Sequence, residues 1–194
     1  NQIKNQSLGL IKKDIQDDLS EFGVLFDSWF SEESMNKNGE LDKAIQSLKK
    51  KNYLYEKDGA TWFKATDFSD EKDRVVIRKN QNKTYFTSDI VYHHNKKVRG
   101  FDTLIDILGS DHHGYIARVK AGLEAMGHDS DDLDVQLVQF VSLYENGVKQ
   151  AMSTRSGEFI TLRQLREEVG NDAARFFYIM RSNEQHLDFD LALA

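Results

Sequence analysis

The segment of this sequence best suited to bind a ligand is Gly-Ser-Asp-His-His-Gly-Tyr at residues 109–115. It follows an apolar run at 103–108 that predicts a buried strand, and it leads into a predicted helix over 112–126. Ligands of open α/β sheets bind just outside the carboxyl ends of the strands, where a helix N-terminus offers free N–H groups to a phosphate. The position of the segment therefore favours a nucleotide or phosphate site.

The residues of this turn have side chains and backbone suited to such a ligand. Gly109 would let a ligand approach the backbone closely. Asp111 can accept a hydrogen bond from a ribose hydroxyl, and His112 and His113 can donate to a phosphate or to a substrate. A purely structural interpretation is equally compatible with the pattern: Asp111 would cap the helix, and one histidine would be half-buried packing.

A second candidate is the loop Ala-Met-Ser-Thr-Arg-Ser-Gly at 151–157, which lies between a predicted strand and a helix that starts near Thr161. Backbone N–H and hydroxyl groups of such a loop can surround phosphates, and Arg155 would supply positive charge. Most loops of this composition only connect two elements, so the pattern alone leaves both interpretations open.

The third candidate is Asp89, in the run Thr-Tyr-Phe-Thr-Ser-Asp at 84–89. The pattern predicts a strand at 84–86 and a helix at 90–98, and an acid at such a junction is more often a helix N-cap than a ligand. Alternatively, its two oxygens could receive a guanidinium in a fork of charge-assisted hydrogen bonds. Tyr85 precedes Asp89 closely enough to share the wall of that pocket.

Histidine pairs at 93–94 and 112–113 raise the question of a transition-metal site. Adjacent side chains on a helix point in different directions, so each pair can offer one ligand at most to a given centre. The chain has no cysteine, which excludes a thiolate ligand, a thiol nucleophile and a disulfide framework. We therefore expect no protein-bound metal.

The elements that must position these residues show two different patterns along the chain, the first of which is a set of helices and a hairpin. Apolar residues at helical spacing predict helices over 10–30, with a break at Gly23, and over 41–48. Asp58-Gly59 between aromatic residues predicts a β-hairpin, and Arg-Val-Val-Ile-Arg at 74–78 predicts a strand.

Strands and helices alternate after residue 89, with a predicted strand at 135–143 and a helix at 161–169 capped by Thr161. This alternation favours an α/β fold with a parallel sheet and crossover helices. The expected domain organisation is a region of helices and a hairpin over 1–80, an α/β core over 81–165, and the start of a helical region over 166–194.

Composition limits the class of protein. The 194 residues carry a formal net charge of −6, which counts mildly against a nucleic-acid footprint spread over the whole chain. No apolar run approaches the roughly 20 residues that span a bilayer, and the first residues lack the apolar core of a signal peptide.

Read together, these segments resemble the arginyl-tRNA synthetases of class I, and the bacterial ones in particular. The quoted motifs include TYFTSDIVYHHNK, TLIDILGSDHHGY and MSTRSGEFITLRQLREE. The likeness keeps family order and spacing over residues 22–33, 53–78, 84–127, 152–181 and 186–194. The resemblance implies a fold: the second half of a Rossmann-like nucleotide-binding sheet, preceded by a helical and hairpin insertion and followed by the start of a helical stem.

The resemblance also implies a reaction. The carboxylate of arginine attacks the α-phosphate of ATP, which gives arginyl-adenylate and pyrophosphate, and the arginyl group then passes to the 3′-terminal adenosine of tRNA. Magnesium accompanies the phosphates. The implied partners are arginine, ATP and tRNA, and the implied setting is a cytoplasmic, monomeric enzyme of translation with no membrane contact.

By resemblance, Tyr85 and Asp89 match the positions that hold the guanidinium of arginine, and His112 matches a position of the same pocket. This role for Asp89 agrees with the fork that its carboxylate could form, and it replaces the simple helix cap as the favoured interpretation.

ATP is expected at the strand-end turn and under a mobile loop. Gly109 and Asp111 match the turn near the ATP ribose. The signature loop that closes over ATP in class I synthetases corresponds to Met152, Ser153, Thr154 and Arg155. That loop usually reads Lys-Met-Ser-Lys-Ser, whereas here Ala151 and Thr154 stand in place of the lysines. The phosphate charge would then fall to Arg155, to Lys149 or to a residue outside this chain.

One family motif has no counterpart, because no His-Ile-Gly-His-like string occurs in the 194 residues. We therefore expect the chain to be an internal piece of the catalytic region that lacks full aminoacylation activity by itself. Two alternatives remain at this level. Asp-His-His at 111–113 names a family of manganese-dependent phosphoesterases, and the chain could also be a non-catalytic module that binds arginine.

Overall fold

The computed structural model describes residues 2–150, 152 and 159–193. In that part of the chain the α-helices are α1 (Gln2–Glu21), α2 (Glu32–Lys37), α3 (Glu40–Lys50), α4 (Tyr85–Val98), α5 (Ile116–Ala125), α6 (Leu162–Val169) and α7 (Asn171–Ile179). The strands are β1 (Leu54–Lys57), β2 (Ala60–Phe63), β3 (Arg74–Ile77), β4 (Leu104–Gly109), β5 (Leu133–Val138), β6 (Val141–Glu145), β7 (Val148–Lys149) and β8 (Leu187–Asp190). None of the helices in the described ranges is both long and apolar enough to cross a membrane.

Contacts divide the chain into two compact units, which are residues 30–138 and residues 1–29 with 139–194. The domain boundaries expected at 80 and 165 follow the family resemblance rather than compactness, and they stay predictions. The two units are described separately.

In the unit of residues 30–138, α2 and α3 precede an antiparallel sheet of order β1-β2-β3. The residues of the hairpin turn, Asp58 and Gly59, have φ of 54° and 75°, as a two-residue turn between twisted strands requires. The register pairs Leu54 with Phe63, whose side chain is fully buried. The hairpin and the strand predicted at 74–78 are confirmed, with β3 ending at Ile77.

The parallel pair β4-β5 carries the turn at 109–115. Its register runs from Leu104 opposite Leu133 to Gly109 opposite Val138, so the two strands end at the same edge. The crossover between them contains α5, which buries Val119 and Leu123 against the sheet. The predicted parallel β-α-β arrangement is confirmed here.

The helix predicted over 112–126 is two elements. A 3-10 segment spans Ser110–Tyr115, and α5 begins only at Ile116. Gly114 lies where the first α-helical turn would otherwise form, and glycine is a poor helix former. The predicted end at Gly127 is confirmed, with φ of 95°.

The strand predicted at 84–86 is wrong. Thr84 is the N-cap of α4, and the helix already begins at Tyr85. β-branched and aromatic residues suggested a strand, but tertiary packing outweighs that propensity. Phe86 and Ile90, one helical turn apart, are buried in a cluster with residues of the antiparallel sheet and of α5.

The unit of residues 1–29 with 139–194 contains α1, the sheet β7-β6-β8 and the helices α6 and α7. β6 pairs with β8 in parallel and with β7 through a hairpin turn at Asn146 and Gly147. A capping box at Thr161 and Gln164 starts α6, which confirms the predicted cap. The buried residues of this unit are Leu143, Leu165, Ala174, Leu187 and Phe189.

The single strand predicted at 135–143 is wrong. β5 ends at Val138 and β6 begins at Val141, and the two strands belong to different sheets. The backbone N–H of Gln139 donates to Asn183 O at 2.7 Å, which takes it out of the β4-β5 ladder. An apolar run cannot show by itself where a chain leaves one sheet for another.

Candidate functional site

Helix α4 places Tyr85 and Asp89 one turn apart on the same face. Thr84 fixes the start of the helix, because its Oγ1 donates to Val75 O at 2.9 Å and its backbone N–H donates to Val76 O at 2.9 Å. Asp89 therefore lies in the second turn of the helix. The expectation that Asp89 stands at a junction between strand and helix was wrong, because the strand end and the cap both lie before Tyr85.

Asp89 presents a half-buried carboxylate to the neighbouring turn. Its Oδ2 accepts a hydrogen bond from the Tyr115 hydroxyl. Among the residues that the structure describes, no lysine or arginine lies within ion-pair distance of this carboxylate. Burial raises the pKa of Asp89, and the hydrogen bond from Tyr115 offsets part of that effect. The site thus contains a partly desolvated negative charge without a paired cation.

Tyr115 connects α4 to the turn that follows β4. It is the last residue of the 3-10 segment, and burial, followed by its hydrogen bond to Asp89, raises the pKa of its hydroxyl well above the usual value. The guanidinium of Arg118 lies 4.8 Å from the centre of the Tyr115 ring. The phenol is therefore a neutral donor that orients one oxygen of Asp89 and leaves its negative charge in place.

The turn itself presents its side chains to the surface. His112 and Asp111 are exposed, and His112 Nε2 lies 3.9 Å from Asp111 Oδ2. The ring of His112 meets Tyr115 edge-on, with 6.2 Å between the ring centres. A Cβ at Gly109 would lie 2.6 Å from Asp111 Oδ1, so this glycine lets the aspartate fold back over the end of β4. His112 and Asp89 are thus both neighbours of Tyr115.

Tyr85 lies apart from that contact. Its side chain is 78% exposed, and it lines a groove of about 590 Å³ whose walls also carry Glu32, Glu33, Arg78 and Lys83. Asp89 does not line the groove. The structure therefore brings Asp89 together with the turn at 109–115, whereas Tyr85, on the same helical face, borders the open space beside it.

Met152, the one residue of the predicted signature loop that the structure describes, lies in the other compact unit. Met152 is exposed and lines a small apolar hollow of about 170 Å³ together with Leu143, Leu165 and Tyr178. The remaining predicted residues, Ser153, Thr154 and Arg155, lie outside the described residues.

Sequence reasoning missed two participants. Tyr115 ends the quoted turn and was given no role, although a tyrosine beside two histidines can supply a hydroxyl. His93 was considered only as a metal ligand, yet it is 4% exposed and bonded to Asp106. The position of His93, one helical turn after Asp89, was the sequence signal that could have indicated its contact with this site.

The four histidines considered as metal ligands lie in different environments. His93 contacts Asp106, and His94 Nδ1 lies 2.7 Å from His128 Nε2. His112 and His113 are exposed on the turn. Within the described ranges, no group of three or more His, Cys, Asp or Glu residues is arranged to hold a metal ion.

Comparison with known proteins gives concordant matches. The family model described as the catalytic domain of class I tRNA synthetases (R) matches residues 2–188. The arginine–tRNA ligase of Legionella pneumophila (strain Corby) is 60% identical over 188 residues, which are 97% of this chain and 32% of that protein. The arginine–tRNA ligase of Thioalkalivibrio sulfidiphilus is 61% identical over 187 residues, which are 96% of this chain and 32% of that protein. The chain thus spans about a third of the length of the curated relatives that it matches.

Solved structures agree with the sequence matches. A crystal structure from Campylobacter jejuni, assigned as an arginyl-tRNA synthetase, superposes with a TM-score of 0.84 and 39% identity over 92% of this chain and 38% of that chain. The arginyl-tRNA synthetase of Thermus thermophilus gives a TM-score of 0.72 at 15% identity over 91% of this chain and 40% of that chain. This match is a likeness of fold alone.

Proposed function

Because the chain belongs to the family of class I arginyl-tRNA synthetase catalytic domains, we propose that it forms part of an enzyme that joins arginine to tRNA at the expense of ATP. Arginine, ATP with its bound magnesium, and tRNA are the proposed substrates. The chain spans about a third of its relatives' length, so the complete reaction is proposed for an enzyme of their length. A monomeric, cytoplasmic state belongs to the same proposal.

The observation that carries this proposal is the Asp89 carboxylate. It is half-buried and lacks a cationic partner among the described residues, which is a costly state for a charge unless a ligand supplies the partner. Tyr115 donates to Oδ2. A guanidinium offers several N–H donors in one plane and can bond to the carboxylate in a fork, while the ammonium of lysine is a point charge that gains less from that geometry.

The other predicted residues take roles consistent with their places. Tyr85 would form a wall of the arginine site beside the groove, and His112 would border the site through Tyr115. Gly109 and Asp111, at the carboxyl end of a parallel strand, are proposed to meet ATP, since nucleotides bind at that edge of such sheets.

In the proposed first step, a carboxylate oxygen of arginine bonds to the α-phosphorus of ATP, the bond to the β-phosphate bridge breaks, and pyrophosphate leaves. A terminal ribose hydroxyl of tRNA then attacks the arginyl carbonyl, and AMP leaves. Such chemistry depends mainly on positioning and on charge stabilisation around the phosphates. The loop of Met152, Ser153, Thr154 and Arg155 is proposed to supply part of that stabilisation.

The alternative of a manganese-dependent phosphoesterase is set aside. It rested on Asp-His-His at 111–113, and this tripeptide lies inside the synthetase match over residues 2–188. A non-catalytic module that binds arginine would share Asp89 with the enzyme, so only a test of activity separates these two possibilities.

The proposal is tested by Asp89→Asn in an enzyme that carries this segment within a complete catalytic region. Removing one charge of a desolvated pair is expected to weaken arginine binding by about 2–5 kcal/mol, which is read as a rise in the KM for arginine. Asp102→Asn is the matched control, because Asp102 is exposed and its known contact uses its backbone carbonyl. An unchanged KM for arginine in Asp89→Asn would contradict the proposed site.

A further inference from the structure

A polar array that contains the buried His93 is bonded to the backbone of Asp89. His93 follows Asp89 by one turn of α4, and its Nδ1 lies 2.7 Å from the backbone carbonyl oxygen of Asp89. Its Nε2 lies 2.6 Å from Oδ2 of Asp106 on β4, and Lys96 Nζ donates to the other oxygen of Asp106 at 2.8 Å. The array therefore joins the turn of α4 that carries Asp89 to the neighbouring strand.

Both ring nitrogens of His93 face oxygen acceptors, a carbonyl and a carboxylate. The ring is therefore held from two sides, within α4 through the Asp89 carbonyl and from β4 through Asp106. Burial acts to raise the pKa of Asp106, but the hydrogen bonds and positive charges of His93 and Lys96 outweigh it and lower that pKa to about 2. Asp106 therefore has a contact at each oxygen, and a hydrogen-bonded array of this kind holds side chains in one arrangement.

The array also connects helix α4 to strand β4. Asp106 lies in β4, and β4 leads at Gly109 into the turn that bears Asp111 and His112. A bond from His93 to that strand and the bond from the Tyr115 hydroxyl to Asp89 tie α4 to β4 and to the turn that follows it. Recognition of a planar cation depends on such fixed geometry, and a displacement of about 1 Å is enough to reduce it strongly.

We propose that His93, held by Asp106, to which Lys96 also donates, is a positioning residue that sets the distance and angle at which the Asp89 carboxylate receives the guanidinium of arginine. This inference rests on the proposed function of Asp89. The competing view is that the array only stabilises the packing of α4 on β4, in which case its loss would lower thermal stability and leave the KM for arginine unchanged.

The test compares kinetic constants of variants in the complete enzyme. His93→Gln retains a donor near the Nε2 position for Asp106 and loses the bond to the Asp89 carbonyl. We expect the KM for arginine to rise on the order of tenfold, as when a partner behind a ligand is removed, with kcat and the KM for ATP within about twofold of the unsubstituted enzyme. His94→Gln is the matched control, since His94 is the next residue of α4 and bonds to His128 instead.

A double variant shows whether His93 acts through Asp89. If it does, His93→Gln should add little to the KM for arginine once Asp89 is Asn, because the two effects share one path and are not additive. Full additivity would contradict positioning through Asp89. Should His93→Gln fail to fold, Asp106→Asn carries the same comparison, since asparagine keeps the shape of the side chain.

The outcomes separate the two proposals. An unchanged KM for arginine in Asp89→Asn would contradict both the proposed site and the positioning role of His93. Suppose the KM for arginine rises in Asp89→Asn, but in His93→Gln and Asp106→Asn it is no higher than in His94→Gln. That result would overturn the positioning role of His93 and leave the proposed site intact. A selective rise in His93→Gln and Asp106→Asn that disappears in the Asp89→Asn background supports it.

Discussion

Replacing Asp106 by Asn should weaken the fold at neutral pH and lose most of that effect in acid. The carboxylate accepts hydrogen bonds from His93 and Lys96, and its side chain is only 15% exposed. Because its pKa is lowered from 3.8 to about 2 in the folded chain, the folded state favours the ionised form. Asparagine has the same shape but carries no charge, and its NH2 group replaces one of the two accepting oxygens, so the variant removes the ionised form together with one hydrogen bond.

The magnitude follows from linkage between protonation and folding. Each tenfold change in an ionisation constant corresponds to about 1.4 kcal/mol, so a fall in pKa from 3.8 to about 2 corresponds to about 2–3 kcal/mol of unfolding free energy. A lowered pKa gives stability that is complete above the unfolded value of 3.8 and is lost as the pH falls towards 2. The part of the difference that comes from ionisation of Asp106 should be complete well above pH 3.8 and should fall to about half by pH 3.

The assay is urea unfolding of the compact unit that contains Asp106. Trp62 lies in that unit and Trp29 in the other, so a Trp29→Phe background leaves one tryptophan, whose fluorescence reports the relevant unit. Asp134→Asn, on the paired strand β5, is the control, because Asp134 is exposed and should change stability by less than about 0.5 kcal/mol.

A free-energy difference between Asp106→Asn and the unsubstituted chain that is the same at pH 3 and pH 7 would refute this reasoning. So would a difference no larger than that of Asp134→Asn at pH 7. In either case the ionised carboxylate would contribute nothing to the tie between α4 and β4, and the positioning role inferred for His93 would lose its physical basis.

Further expectations concern other elements of the same chain. Thr161→Ala removes the side-chain cap of α6 and should lower the free energy of unfolding by about 1 kcal/mol, measured by urea unfolding; no change would show that the cap is dispensable. Tyr115→Phe removes a hydrogen bond that lowers the pKa of Asp89, so burial is opposed less and the pKa should rise further, as followed by carboxyl-carbon NMR titration; a lower value would contradict the contact. Gly122→Ala places a Cβ 2.6 Å from Ile90 Cγ1 and should cost about 1–3 kcal/mol through overpacking, whereas a more stable variant would show that α4 and α5 can move apart.

Local chemistry explains which elements could be predicted from the sequence. The Asp58-Gly59 hairpin and the Thr161 cap were found because each depends on residues adjacent in the chain. The parallel arrangement of β4 and β5 followed from the alternation of elements. In each case the signal lies within a few residues, or in the order of elements, and needs no knowledge of side-chain packing.

Prediction failed where a distant partner decides the outcome. Residues 84–86 have the composition of a strand, but burial of Phe86 at helical spacing makes them the start of α4. The run at 135–143 looked continuous, and only the pairing of β6 with β8 shows that it serves two sheets. Sequence spacing does not encode such contacts.

The candidate site shows the same division. Asp89 and the turn at 109–115 were both identified from residue type and family likeness, but the hydroxyl that joins them, from Tyr115, was not. His93 was considered as a possible metal ligand because its chemistry allows that, whereas its contact with Asp106 depends on how α4 packs on β4. Residue types suggested the ligands of the site, and packing determines which residues support them.

The most direct test follows the Asp89 carboxyl carbon by NMR, in an enzyme that carries this segment within a complete catalytic region, while arginine or citrulline is added. Citrulline has the shape of arginine without its positive charge, so a carboxylate that receives a guanidinium should respond to arginine and far less to citrulline. We expect a saturable shift of the Asp89 signal with arginine and a smaller response with citrulline. Equal responses to the two compounds, or no response of this signal to arginine at saturating concentration, would contradict the central claim that Asp89 binds the guanidinium.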